Sequence, residues 1–407
     1  MSHEKTDREL GELVESLKPN LHELMICLSH SWGGLEQVAA NDAIDRGRLG
    51  LDVRVLCLEG SPIHEYLAKR EEVHLAPIAY RPRNYFDPRM RGELNRFCSN
   101  GVNLIHCHQT SLLGSVIPWL WRNREVSLIA SRHIMSNHDK RDVFHRLLYA
   151  RLDSMVVMSQ ALKRNVLETH PFKEAQVRVV NLGLDFDVFD PDRVDVKVQR
   201  AEWGADEDTV VIGLVGRIDP AKGQATFIRA AAGILKGRKD GEKFKFVIVG
   251  GETLGRQSGY LEELKSIVGD LGLGDNVVFA GFQENIPAIM GAFDIFVMPS
   301  RQEAFGLVAI EAMAMECPIV ISRGGSSREI VGEEEYGVVM RPEDAFDLQR
   351  QLRHLLDRPE LRRKMGRMAR EHVKRHYDRR ERCRLTLELY DWALRRRELL
   401  KSISGRR

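Results

Sequence analysis

The chain has 407 residues, 43% of them hydrophobic and 29% charged, with a formal net charge of +2. That length predicts two domains rather than one, the apolar fraction argues against a disordered chain, and the near balance of charge argues against a whole-molecule nucleic-acid footprint. No apolar run approaches the roughly 18 residues of a membrane span, and the charged first 20 residues hold no signal-peptide core. Six cysteines (Cys27, Cys57, Cys98, Cys107, Cys317 and Cys383) form no CxxC pair. Several lie in apolar runs, where a free thiol acts as a small hydrophobe. A cytoplasmic location is expected, with membrane contact limited to the periphery.

In chain order, residues 1–20 are a polar leader, loose or helical. Residues 21–28 (LHELMICL) open a first sheet. Directly after it stands Ser31-Trp32-Gly33-Gly34-Leu35-Glu36. Paired glycines ahead of a helix let backbone N–H groups approach a phosphate, although an ordinary strand-to-helix turn has the same look and GxGxxG is absent. Strand-like runs follow at 51–58, 104–107, 127–131, 154–158 and 177–180. Helix-like runs lie at 35–46, 111–121, 139–151 and 160–169. Such alternation predicts a parallel, doubly wound sheet.

Within this half, His106 and His108 fall on one strand face, His133 ends the next strand, and His138 follows. The spacing is compatible with a metal, and a satisfied structural role is the expectation for His106. Residues 80–97 (YRPRNYFDPRMRGELNRF) mix arginines with Tyr80, Tyr85 and Phe86. They read as a solvated basic face, or as a contact for an anionic lipid surface or a phosphorylated acceptor.

After a polar connector at 190–208 the alternation restarts. Strands are expected at 210–215, 244–249, 277–280, 295–298 and 319–321, and helices at 224–235, 260–271 and 307–315. The loop Gly216-Arg217-Ile218-Asp219-Pro220-Ala221-Lys222-Gly223 carries a guanidinium and an ammonium five positions apart. Two fixed cations suit a diphosphate; a solvated loop with a proline turn is the other reading. Glu303 and Glu311 bracket the start of the 307–315 helix, eight positions apart. Carboxylates accept from hydroxyls, and the helix start donates to phosphate. A surface acid plus a dipole-favoured helix acid would have the same spacing. From Phe346 onward the pattern is helical only, and 378–399 repeats Leu385, Leu389, Trp392 and Leu399 at helical spacing. Asp185-Phe186-Asp187 spells a DxD metal motif but lies in the turn closing the first half. Arg217 and Lys222 already supply positive charge, so no metal is expected.

The stretch EAFGLVAIEAM resembles the paired-glutamate signature of retaining glycosyltransferases of the GT-B fold, in particular glycosyltransferase family 4, the group 1 glycosyl transferases. The resemblance covers roughly residues 21–377. It implies that Glu303 contacts a donor sugar, that Glu311 binds the nucleotide ribose, and that the N–H groups of Phe305, Gly306 and Leu307 hold sugar and phosphate. By the same resemblance Gly33 and Gly34 abut the donor phosphates, and Gly216, Arg217 and Lys222 grip the diphosphate. VIVGG places Gly251 near the base, with Gly281 and Phe282. LIASRH places His133 on the acceptor side or at the sugar, and LIHCHQT adds His108. The stretch Asn181-Leu182-Gly183-Leu184-Asp185 with Phe189 and Pro191 is similar to the family's Asn-Gly-x-Asp…Phe-x-Pro, with Leu182 intervening.

The fold so implied is α/β, two Rossmann-like doubly wound parallel-sheet domains facing across a cleft. Residues 1–195 would form the acceptor domain and 196–377 the donor domain, with 378–407 packing back onto the first. The activity implied is metal-independent transfer, with retention, from a UDP- or GDP-linked sugar to a hydroxyl of a glycan or lipid-linked acceptor in polysaccharide biosynthesis. Glu303, Arg217, Lys222 and His133 would form the catalytic set. The donor is a substrate, and no cofactor or nucleic acid is implied. Peripheral contact with an anionic membrane at its inner face goes with such an acceptor. A GT-B sugar-nucleotide epimerase or a non-catalytic nucleotide-sugar binder would share the cationic loop; a phosphorylase would need a cofactor-lysine context that is not recognisable.

Overall fold

In the computed structural model the described residues are 3–82, 87–99, 101–252, 259–301, 303–332 and 334–404. The chain forms two units, Met1–Gly183 with Arg379–Arg407, and Leu184–Asp378.

The first unit is built on seven parallel strands: β1 His22–Cys27, β2 Asp52–Leu58, β3 His74–Ile78, β4 Leu104–Cys107, β5 Ser127–Arg132, β6 Ser154–Val157 and β7 Val177–Val179. Their order is β3-β2-β1-β4-β5-β6-β7. β4, β5 and β6 are buried along their whole length, as strands of a covered parallel sheet should be. β3 was not expected from the sequence. Its Pro77 lacks an N–H, which a strand tolerates at the edge that β3 occupies.

The N-terminal leader contains the helix His3–Leu17. Leu10, Val14 and Leu17 recur at helical spacing and are buried, and this helix packs on the C-terminal helix Arg379–Ser404. Two buried polar networks are among the contacts that tie the C-terminal helix into the first unit. In the first, Arg46 donates to Glu23 from Nε at 2.8 Å and Nη2 at 2.9 Å. The Tyr390 hydroxyl donates to Glu23 Oε1 at 2.8 Å and lies 2.6 Å from His106 Nδ1. His106 Nε2 is 2.8 Å from Ser131 Oγ. Burial holds His106 well below its ordinary range, so the ring is neutral. A phenol already donating to Glu23 assigns the His106 proton to Nδ1. In the second contact, Arg382 donates to both carboxylate oxygens of Asp42 at 2.7 Å. Burial opposes ionisation there, but the guanidinium wins and holds Asp42 at about 2. Removing Arg382 alone would strand a buried carboxylate, at a cost of about 3–5 kcal/mol.

The buried face of this helix differs from the expected one. Cys383, Leu387, Tyr390 and Ala393 are covered, as is Leu389, while Leu399 is 61% exposed. Beyond Ala393 the helix is held by charge instead, with Arg396 and Arg397 on the buried Asp153.

The second unit has six parallel strands: β8 Thr209–Val215, β9 Lys243–Val249, β10 Val277–Gly281, β11 Ile295–Met298, β12 Ile319–Ser322 and β13 Val338–Met340. Their order is β10-β9-β8-β11-β12-β13, so the winding reverses between β8 and β11. Ligands of open α/β sheets bind outside the carboxyl ends at such a reversal. β13 escaped the sequence reading because three edge residues carry too little pattern.

The 190–208 connector is held within the second unit. Arg370 donates to Phe189 O at 2.8 Å and to Asp190 Oδ1 at 3.2 Å, and it also bonds Ala314 O. The change of unit falls earlier, between Gly183 and Leu184, not at 195.

Within 80–97, Arg83, Asn84, Tyr85 and Phe86 lie outside the described residues. The rest includes the helix Pro88–Cys98, capped by Asp87. Arg89 pairs with Asp87 at 2.7 Å and stacks over Tyr80 at 4.1 Å. Exposed apolar side chains of the first unit stand elsewhere: Val143, Phe144 and Leu147 share the helix Val143–Tyr149, and Trp121, Ile134, Leu399, Leu400 and Ile403 are exposed as well. Among the described residues no helix is long and apolar enough to cross a membrane.

Candidate functional site

The cationic loop follows β8. Asp219 caps a single 3-10 turn, Pro220–Lys222, by accepting the Ala221 N–H at 2.9 Å. The helix Gln224–Lys236 follows. Its first side chain, Gln224, is fully buried and donates to Arg217 O at 2.6 Å, which fixes the loop that carries Arg217. Gly216 donates to Val249 O at 2.9 Å, and Ile218 to Gly251 O at 3.0 Å. The loop is thereby laid along the carboxyl ends of β8 and β9.

Lys222 and Glu303, 81 positions apart, meet here. Lys222 Nζ lies 2.7 Å from Glu303 Oε2, with the two side chains 28% and 24% exposed. Their backbones are joined too, since Arg301 donates to Ala221 O at 2.9 Å. Lys222 was expected at a phosphate and Glu303 at a sugar. In the structure each satisfies the other.

Two glycines set the course of the Glu303 loop. Gly306 sits at φ +93 and begins the helix Leu307–Ala314, which no side chain caps. The helix start therefore presents N–H groups and a positive end. Gly325, at φ +50, lies so close to this loop that a Cβ would stand 1.7 Å from Glu303 O. Phe305 is buried, faces Tyr377 at 5.5 Å, and its carbonyl accepts the Ser326 hydroxyl at 2.5 Å.

Glu311 lies inside that helix, 8% exposed. No hydrogen bond or ion pair among the described residues reaches its carboxylate. Burial alone pushes it from the usual 4.5 up to about 7. A carboxylate in this state gains from any hydroxyl or cation brought to it.

Two crevices flank Glu303. One lies between the ends of β8 and β11, where the strand order reverses, and touches Val215, Lys222, Met298 and Val308. The other lies between the ends of β11 and β12. Phe282, just past β10, is 66% exposed. Gly216, Arg217, Lys222, Gly251, Phe282, Glu303, Phe305, Gly306, Leu307 and Glu311 thus belong to one sheet edge.

Gly33 has extended backbone, φ −152. Its N–H donates to Glu36 Oε2 at 2.9 Å, so this donor is already engaged. At Gly34 a Cβ would meet no atom within 4 Å, which leaves the backbone approachable. His106, His108 and His133 form a row, with ring centroids 4.3 Å and 5.5 Å apart. His108 is 1% exposed, yet neither ring nitrogen has a partner among the described residues, and His133 Nε2 also lacks one. Burial pushes His133 down to about 3, and His108 well below its usual range. Both are therefore neutral imidazoles able to meet a hydroxyl. His138 is exposed and stands outside this row. No group of three or more His, Cys, Asp or Glu side chains among the described residues is arranged to hold a metal ion.

Comparison with known proteins gives two family matches. Residues 32–188 match the model for Glycosyltransferase Family 4, and residues 195–372 that for Glycosyl transferases group 1. A D-inositol 3-phosphate glycosyltransferase of Saccharomonospora viridis is 28% identical over 377 residues, 84% of this chain and 85% of that one. Another from Mycobacteroides abscessus is 32% identical over 60% of this chain and 57% of its own. Among solved structures, a glycosyltransferase of Rickettsia africae superposes with TM-score 0.83 at 19% identity, covering 92% of this chain and 99% of that one. Anabaena Alr3699/HepE, in complex with UDP-glucose, superposes with TM-score 0.76 at 20% identity, covering 90% and 98%.

Proposed function

We propose the reaction from the premise that this chain belongs to the family 4, group 1 glycosyltransferases of GT-B fold: it transfers a sugar, with retention and without a metal, from a nucleotide sugar to an acceptor hydroxyl. The observation that carries this reading is the Lys222–Glu303 contact beside the crevice at the strand reversal. A partly exposed ion pair is worth only about 0–1 kcal/mol, so a ligand can exchange it cheaply. On binding, the donor diphosphate takes Lys222 and Arg217, and the sugar hydroxyls take Glu303. The uncapped start of the helix Leu307–Ala314 adds N–H donors. Glu311 accepts from the ribose hydroxyls, and His133 and His108 serve the acceptor side.

In the chemical step the bond from the anomeric carbon to the departing phosphate oxygen breaks. The acceptor oxygen bonds to the same face, and its proton passes to that phosphate oxygen. Retention by this front-face route is favoured because Glu303 is committed to the sugar hydroxyls and Glu311 is buried. Lys222 and Arg217 offset the charge on the leaving group electrostatically. The UDP-glucose of the Anabaena protein supports a uridine donor, and GDP is the other candidate. The relatives named for D-inositol 3-phosphate favour a phosphorylated polyol among acceptor hydroxyls, beside a glycan or lipid-linked one.

Thermal unfolding with UDP, GDP and ADP at millimolar concentration tests the donor reading. A ligand selective for the native state at 100 times its Kd adds about 2.7 kcal/mol, a rise of several degrees. The expected result is a rise with UDP or GDP, with a glycoside as product once an acceptor is supplied. No rise with any of the three, or epimerised donor without transfer, would contradict it.

Contact with an anionic membrane is part of the proposal, but its place moves from 80–97 to Val143, Phe144 and Leu147, with Arg141 and Arg146 beside them. The chain is expected to cosediment with phosphatidylglycerol vesicles and not with phosphatidylcholine ones. Phe144→Ser with Leu147→Ser is expected to abolish this; unchanged sedimentation would place the contact elsewhere or nowhere.

A further inference from the structure

Ser322 ends β12, where it continues the apolar run Ile319, Val320, Ile321. It is 6% exposed, and its Oγ has no hydrogen-bond partner among the described residues. Its neighbours behave otherwise. Ser326 Oγ donates to Phe305 O, and Ser327 Oγ accepts the Gly324 N–H at 3.1 Å. Those two hydroxyls are used by the loop; Ser322 is not. Leaving a hydroxyl buried without a partner costs about 1–3 kcal/mol, whereas valine or alanine would extend the strand at no such cost.

Ser322 is one of the residues lining the crevice between β11 and β12, with its unpartnered hydroxyl buried there. Glu303 and Ser327 also line it, and so do Met298, Phe305 and Ile321. The lining is therefore polar on one part and apolar on another. A pyranose has the same character, with hydroxyls around its rim and C–H groups on its face. Glu303 can only accept hydrogen bonds when ionised, while a serine hydroxyl both donates and accepts. A sugar hydroxyl, which donates and accepts, can use partners of both kinds.

We infer that Ser322 and Glu303 form a hydroxyl-reading subsite for the transferred sugar, with Ser322 as a specificity-determining residue. This rests on the reading above, in which Glu303 meets the sugar of a nucleotide-sugar donor. Ser322 acts on recognition of the sugar and leaves the nucleotide to Arg217, Lys222 and Glu311.

The test compares the wild-type chain with Ser322→Ala, titrated with UDP, UDP-glucose, GDP, GDP-mannose and monodeoxy analogues of the nucleotide sugar that binds. UDP or GDP alone should bind both proteins equally. The nucleotide sugar should bind Ser322→Ala roughly 2- to 10-fold more weakly, the loss of one neutral hydrogen bond. One deoxy analogue should be penalised by the wild type and not by Ser322→Ala, and Ser322→Thr, which keeps the hydroxyl, should keep the penalty. The melting temperature of the ligand-free Ser322→Ala chain should not fall, whereas a serine with a structural role would lower it.

Equal ratios of sugar-nucleotide to nucleotide affinity in both proteins, with the same deoxy analogue penalised, would overturn the inference and leave the hydroxyl serving a trapped water. Failure of UDP and GDP to bind either protein would instead overturn the donor reading, and this inference with it.

Discussion

Lys222→Ala is expected to lower kcat at saturating donor by at least 10²–10³-fold, the order seen when a preorganised charge is removed from a transition state. The fold should survive. Lys222 is partly exposed and pairs with Glu303, so the stability change should stay within about 1 kcal/mol. Steady-state kinetics and a melting curve on the same preparation separate the two effects. Lys222→Arg should recover only part of the rate, because a planar guanidinium does not reproduce a compact ammonium. Near-normal turnover by Lys222→Ala would remove the electrostatic basis of the reaction proposed here.

Glu311→Gln is expected to have opposite effects on the ligand-free chain and on its complex. Burial raises Glu311 in the folded state from 4.5 to about 7. A group raised in this way contributes its full stability below about pH 4.5. That contribution is lost as pH rises through about 7, because ionising the buried carboxyl then opposes folding. The glutamine cannot ionise. It should leave stability unchanged at pH 4.5 and raise it above pH 7, towards a plateau of roughly 3 kcal/mol. Denaturant melts across this pH range would show the divergence.

Nucleotide affinity should move the other way. Losing a hydrogen bond to a charged acceptor costs about 1.5–3 kcal/mol, so calorimetry should find binding weakened by about 10- to 150-fold, with acceptor affinity little changed. Wild-type affinity should also rise with pH through about 7, and Glu311→Gln should lose that dependence. A variant that binds nucleotide normally would remove Glu311 from the site.

Much of the second unit was legible because its signals are local. The helix Leu307–Ala314, the strand before it and the eight-residue spacing of Glu303 and Glu311 all lie within one short stretch. The cationic loop likewise follows an unmistakable apolar strand. What could not be read depends on distant partners or on edges. Lys222 meets Glu303 across 81 positions, and Tyr390 meets Glu23 across 367. Neither contact leaves a periodic trace. The same is true of Arg382 on Asp42, which reads in sequence as two more charges on polar helix faces.

The edge strands β3 and β13 were lost to a proline and to shortness. Ser322 was lost because a serine after an apolar run looks like the start of a turn. In the structure it is buried at the end of the strand, and its missing partner is the signal. The hydrogen bond made by the Gly33 N–H was hidden for another reason. The Glu36 carboxylate, which satisfies the Gly33 N–H, is visible in the sequence only as a residue that favours helix starts.

The most direct measurement is a crystal structure of the chain with an intact nucleotide sugar, read at Lys222 and Glu303. The Lys222 ammonium should have left Glu303 for a phosphate oxygen, with Glu303 on a sugar hydroxyl and Glu311 on the ribose. A diphosphate bound elsewhere, with the Lys222–Glu303 pair still closed, would contradict the account.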